Sequence, residues 1–180
     1  MNQNLKKQIK EIFEWILIIV LAIAAAMLIN RYVIIKAEVP TGSMENTIEV
    51  GDCIMGLQLA YMFNGPERGD VVIFPYPDNP EVTYVKRVIG LPGETVEMKD
   101  GYVYIDGEPI EEPYLKEEMH GEYGPYVVPE GCYFMLGDNR NSSADSRKWK
   151  NTYLKKEDIT AKVLFRYSPS FQWFSDVEYE

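Results

Sequence analysis

The sequence predicts a mainly β protein built as one N-terminal transmembrane helix followed by a single antiparallel β domain. Three observations carry this. Residues 12–29 are almost wholly apolar. Beyond them, short Val-, Ile- and Tyr-rich runs recur at roughly ten-residue spacing with turn signals between, the pattern of an antiparallel sheet or barrel. The composition, with 11 Pro, 13 Gly and 13 Tyr in 180 residues, suits short strands better than a helical bundle.

The anchor comes first. Ile12 to Ile29, with Tyr32-Val33-Ile34-Ile35 after Asn30-Arg31, supplies about the 20 apolar residues a bilayer-crossing helix needs. Lys6, Lys7 and Lys10 precede it and Trp15 stands near the first interface. Lysines on that side place residues 1–11 in the cytoplasm, the anchor at 12–35 and the β domain, 36–180, outside the cell membrane. A removable secretory signal is the rival reading, since Ala24-Ala25-Ala26 offers a cleavage-like site. Against it, the apolar run continues past the alanines. A buried core helix would show a polar face, and none exists here.

Ala37 to Val39 read as extended, up to Pro40. Thr47 to Met55 read as a turn entering a strand. Leu57 to Phe63 are apolar without clean alternation, which fits either core-facing chain or a surface touching lipid. Val71 to Phe74 read as a buried strand stopped by Pro75 and Pro77, with Asp78-Asn79-Pro80 as the turn and Thr83 to Ile89 as the next strand. Lys99-Asp100-Gly101 marks a hairpin between 94–98 and 102–105, because Asp-Gly accepts the positive φ of a tight turn. Residues 106–126 form an acidic excursion. Cys132 to Leu136 and Glu157 to Phe165 are the last strands, before an aromatic tail from 168 to 180.

Charge excludes one class of partner. The net charge is −10, and residues 1–36 hold five Lys/Arg against two Glu, so the remainder carries −13. Such a domain repels nucleic acid. No metal or cofactor is expected: His120 is the single histidine and the two cysteines lie far apart, so neither HExxH nor CxxC spacing exists. Cys53 and Cys132 read as small core residues, with pairing in an oxidising compartment the alternative.

Three stretches carry chemistry. The first is Pro40-Thr41-Gly42-Ser43-Met44-Glu45-Asn46-Thr47, just beyond the anchor. By itself Ser43 reads as a turn serine. The second is Tyr84-Val85-Lys86-Arg87-Val88-Ile89-Gly90-Leu91-Pro92-Gly93, where alternation puts Lys86 on one face with Tyr84 and Val88. A lysine desolvated there loses much of its affinity for a proton and becomes a base near neutral pH. On composition alone it reads as a surface lysine paired with Glu81 or Glu97. The third is Gly137-Asp138-Asn139-Arg140-Asn141-Ser142-Ser143-Ala144-Asp145-Ser146-Arg147, which alone reads as a tight polar loop. A serine nucleophile needs a base, and His120 lies in a polar loop setting, so Lys86 is the stronger candidate.

In this order behind an anchor, the three stretches resemble the type I signal peptidases, Ser/Lys proteases that trim exported preproteins, in their short Gram-positive form. The resemblance runs from the N-terminus to about residue 165. It implies a catalytic β domain with Ser43 as nucleophile and Lys86 as base, an oxyanion hole from the Ser43 N–H and the Thr41 hydroxyl, a lysine-orienting role for Ser143, and a supporting ion pair between Asp145 and Arg147. It further implies cleavage after small residues in Ala-x-Ala sites; Met44, Ile48, Val82, Tyr84 and Val88 are the candidate pocket walls, among which the sequence does not choose. The partners implied are preproteins and the bilayer, for a monomer. Departures are visible at Asn46, where Pro is common, and at Asn141 and Ser142. The competing readings are a catalytically silent, membrane-anchored binding homologue, which should lack Ser43 or Lys86, and a self-cleaving repressor, which should carry a basic DNA-reading module. The absence of any Ser-x-x-Lys argues against penicillin-binding enzymes.

Overall fold

The structure is a computed structural model describing residues 3–174, with side chains from residue 7 onward. The expectations for residues 1–2 and for the tail at 175–180 lie outside the described residues. Helix α1, Gln3–Tyr32, opens the chain. Its stretch Lys7–Tyr32 has a mean hydropathy of 2.8 and buries nothing against the rest of the molecule, as expected of a helix made to face lipid. Arg31 occupies its last turn, where a cation suits the carbonyl end of the helix. The helix stops at Tyr32. Ile34 and Ile35, read above as the end of the anchor, instead open a strand, in keeping with the β-branched run Val33-Ile34-Ile35.

The domain is antiparallel throughout. Its strands are β1 (Ile34–Glu38), β2 (Cys53–Leu57), β3 (Val71–Tyr76), β4 (Asn79–Gly90), β5 (Thr95–Lys99), β6 (Tyr102–Ile105), β7 (Glu108–Pro109), β8 (Tyr123–Val127), β9 (Cys132–Leu136), β10 (Leu154–Lys155), β11 (Ala161–Ser168) and β12 (Gln172–Trp173). The large sheet runs β1-β2-β11-β3-β4-β9-β10, with β12 beside β11, and the small sheet runs β7-β6-β5-β8. The late strand β11 thus inserts between β2 and β3, so the sheet closes only once the whole domain is folded.

One turn and the excursion differ from the sequence reading. β3 continues through Pro75 to Tyr76, and the hairpin to β4 turns at Pro77-Asp78, one residue earlier than expected. The excursion is also less irregular: its ends are β7 and β8, which complete the small sheet. The hairpin at Asp100-Gly101 forms as read, with both residues at positive φ.

Three apolar clusters hold the domain. One, around Val96, Met98, Phe134 and Leu136, joins the small sheet to β9. A second packs Met44 and Ile48 on Ile54, Ile73 and Val163. The third gathers Val72, Phe74, Val88, Met135 and Trp149. β4 sends Ile89 to the first, Val85 to the second and Val88 to the third, so its backbone is fixed from several sides. Cys53 and Cys132 are both free and half-buried.

Candidate active site

Ser43 sits in a single 3-10 turn, Gly42–Met44, between β1 and β2. Met44 is 1% exposed and roots this turn in the second apolar cluster. The burial of one side chain therefore aims its neighbour outward, into a cleft. Lys86 reaches the same point from the middle of β4. Its Nζ donates to Ser43 Oγ at 2.6 Å and to the Val85 carbonyl at 2.9 Å. The amine lies 5.0 Å from the Tyr84 ring centre. Lys86 is 3% exposed and pairs with neither Glu81 nor Glu97, the latter being held by Lys99.

Burial is the main influence on this amine. It pulls Lys86 from the ordinary 10.5 down to about 8, against the opposing pull of the Asp145 and Asp138 carboxylates. A substantial fraction is then neutral near physiological pH, and a neutral amine beside a hydroxyl is a base.

The cleft beside the pair has a volume of about 860 Å3. One wall is Ile35 to Thr41, another Val82 to Val85, and Ser142 and Ala144 close the end. Of the expected pocket residues, Met44, Val82 and Tyr84 line it. Ile48 and Val88 do not: both are fully buried in separate apolar clusters. Thr41 stands at the cleft in extended conformation, with no side-chain capping bond to the turn.

The third stretch folds against the back of Ser43. A Cβ on Gly137 would overlap both Ser143 Oγ and the Ser43 carbonyl, so only glycine lets these segments approach. Ser143 Oγ is buried there, beside the Asp145 carboxyl. Asp145 accepts from Arg147 through Nε and Nη2, each at 2.8 Å, and from the Gly137 N–H at 3.1 Å. Burial pushes the Asp145 carboxyl up, but the Arg147 guanidinium, with help from the nearby Ser143 hydroxyl and Gly137 N–H, holds it below the usual carboxylate range. His120 lies in an exposed loop and does not line the cleft.

A family model described as signal peptidase, peptidase S26, matches residues 12–168. The chain belongs to this family. Signal peptidase I S of Bacillus subtilis is 35% identical over 91% of this chain and 94% of its own. Signal peptidase I of Bacillus amyloliquefaciens is 40% identical over 91% and 90%, respectively. A crystal structure of a signal peptidase I from Enterococcus faecalis matches at 36% identity over 54% of this chain and 95% of that one, with a TM-score of 0.49. Membership in the signal peptidase family makes this chain a serine peptidase, a hydrolase.

Several site residues escaped the sequence reading. Asn139 ties the turn down at two successive carbonyls: its N–H donates to Ser43 O at 3.1 Å and its Nδ2 to Gly42 O at 3.0 Å. Arg87 forms a buried two-pronged pair with Asp138, through Nε at 2.9 Å and Nη2 at 2.6 Å. Thr47 donates to the same carboxylate at 2.5 Å. Arg140, 1% exposed, pairs with Glu112. The polar density of 137–147 was the available signal for Asn139 and Asp138. Nothing in the sequence links Glu112 to Arg140.

Proposed function

We propose that this protein removes N-terminal signal peptides from exported preproteins, using Ser43 as nucleophile and Lys86 as general base. The observation that carries the reading is the 2.6 Å contact between Ser43 Oγ and a buried Lys86 amine at the floor of an 860 Å3 cleft. Ser43 Oγ attacks the scissile carbonyl carbon as its proton passes to the neutral amine. The tetrahedral oxyanion accepts from the Ser43 N–H and the Thr41 hydroxyl. Collapse breaks the C–N bond, and the Lys86 ammonium gives its proton to the leaving amine. Water then attacks the ester, losing a proton to Lys86, and collapse frees Ser43 with its hydroxyl restored. Ser143, whose buried hydroxyl lies beside the Asp145 carboxyl, suits a role of steering the amine through these transfers, and the Asp145–Arg147 pair holds the loop that carries it.

Specificity follows from the walls. β9 covers β4 only from Arg87 to Gly90, which leaves the edge of β4 at Val82 to Val85 open beside the cleft. An extended substrate gains main-chain hydrogen bonds there. Side chains as small as alanine, in an Ala-x-Ala pattern, fit shallow pockets next to Ser43. In this reading the domain works as a monomer on the outer face of the cell membrane with the N-terminus in the cytoplasm, an orientation that the lysines before the span favour. Ser43 and Lys86 are both present, which counts against a silent binding homologue.

The test is cleavage of a preprotein with an Ala-x-Ala site by detergent-solubilised protein, beside Ser43→Ala and Lys86→Ala. Cleavage after the last alanine by wild type alone is expected. Substantial cleavage by either variant sinks the pair, and no cleavage by wild type favours the binding homologue.

A further inference from the structure

We propose that the excursion segment 110–118 acts as a clamp that sets the position of the nucleophile turn, with Asn46, Glu112 and Lys116 as positioning residues. The inference rests on Ser43 being the nucleophile. Immediately after Ser43 the chain makes a second turn, Met44 to Thr47, closed by the Thr47 N–H on Met44 O at 3.1 Å. Glu45 lies at φ −53° and ψ 147°, and Asn46 at φ 84°. This is a type II turn, which demands a left-handed residue at its third position. Proline, with φ locked near −65°, could not stand there. Asn46 can, and its side chain is then turned outward.

Three ties meet this turn and its support, all from one segment. Asn46 Nδ2 donates to Tyr114 O at 2.9 Å. Lys116 Nζ pairs with Glu45 Oε2 at 2.8 Å. Glu112 takes both outer nitrogens of Arg140, at 2.5 and 2.7 Å. Arg140 in turn donates through Nε to Gly137 O at 3.1 Å. It directly follows Asn139, the residue that holds the Gly42 and Ser43 carbonyls. The segment therefore grips the turn directly at 45 and 46, and indirectly through 139 and 140.

The magnitudes separate alignment from bulk stability. Asn46 and Lys116 are exposed, and an exposed pair contributes about 0–1 kcal/mol. Such ties add little to folding. Yet they restrain the segment that carries the reacting oxygen, where a shift of about 1 Å costs on the order of 100-fold in rate.

The test uses the full-length chain in detergent on an Ala-x-Ala preprotein, with kcat, KM and Tm measured separately. Asn46→Gly removes the tie to Tyr114 but keeps positive φ easy, and Lys116→Ala removes the tie to Glu45. In the double variant kcat should fall about tenfold or more with KM held within about twofold, while Tm moves by no more than about 4 °C. Lys116→Arg in the Asn46→Gly background should recover most of the loss contributed by position 116. Glu112→Gln should also lower kcat. A double variant with wild-type kcat overturns the clamp. So does a loss that tracks KM alone, or one that vanishes after correction for the folded fraction. Ser43→Ala and Lys86→Ala run alongside: activity there defeats the Ser/Lys reading, whereas their inactivity beside a fully active double variant defeats only the clamp.

Discussion

At the scale of single residues, the decisive group is the Lys86 amine. Its surroundings do two things at once: burial lowers its proton affinity, and the Ser43 hydroxyl accepts its hydrogen bond. Under the proposed mechanism, activity requires the neutral form. The rate should climb about tenfold per pH unit below the Lys86 value of about 8 and level off above it, in kcat/KM measured from pH 6 to 10. A flat profile across that range would remove Lys86 as the base. Stability carries the same signature. The folded-state value lies below the unfolded one, so between about 8 and 10.5 the unfolded chain binds the extra proton. The Lys86 contribution to folding free energy therefore rises with pH across that window, and urea midpoints of Lys86→Met should lack this rise. The sequence pointed to Lys86 as a candidate base through strand alternation and family resemblance. It could not expose Asn139 as a restraint on Ser43, because that contact spans most of the domain and depends on Gly137 permitting the approach.

At the scale of elements, the site is a 3-10 turn laid against a strand and backed by a polar loop. The turn is too short to hold itself, since one or two backbone hydrogen bonds scarcely offset the ordering entropy. Met44 and Ile48, both buried, give it an apolar root. Met44→Ala should cost about 2–5 kcal/mol in denaturant unfolding, with activity falling alongside because Ser43 loses its footing. The backing loop is tied to β4 by the Arg87–Asp138 pair, whose side chains are 4% and 0% exposed. Removing one partner strands a buried charge. Arg87→Met should cost about 3–5 kcal/mol, while Arg87→Met with Asp138→Asn should recover part of that stability in the same unfolding measurement. Most elements were legible because their signals are local: the apolar run of α1, the alternation in β4, the Asp-Gly of the β5–β6 hairpin. The end of α1 and the β3–β4 turn were misplaced by a few residues. There, pairing partners in β2 and β4 decided where the strands begin, and those partners are distant in sequence.

For the whole molecule, the anchor and the domain divide the work. α1 contributes nothing to the cleft, which begins at Ile35. Replacing α1 by an unrelated apolar helix should leave kcat on a soluble peptide unchanged. Deleting it should lower preprotein cleavage in vesicles by roughly 100-fold, because tethering acts through effective concentration and adds no contact at Ser43. Equal cleavage by tethered and untethered protein in vesicles would contradict that division.

What the sequence determined by itself is whatever short-range chemistry encodes. A long apolar helix, a β-rich acidic domain and three polar stretches of recognisable pattern all declare themselves within a few residues. Only the tertiary structure decided that Ser43 and Lys86 meet, that Ile48 and Val88 are core rather than cleft, and that Glu112 neutralises Arg140. The reason is physical. A side chain's proton affinity, exposure and aim are set by groups brought near it through packing, and in this sheet the neighbours that matter come from strands and loops far along the chain.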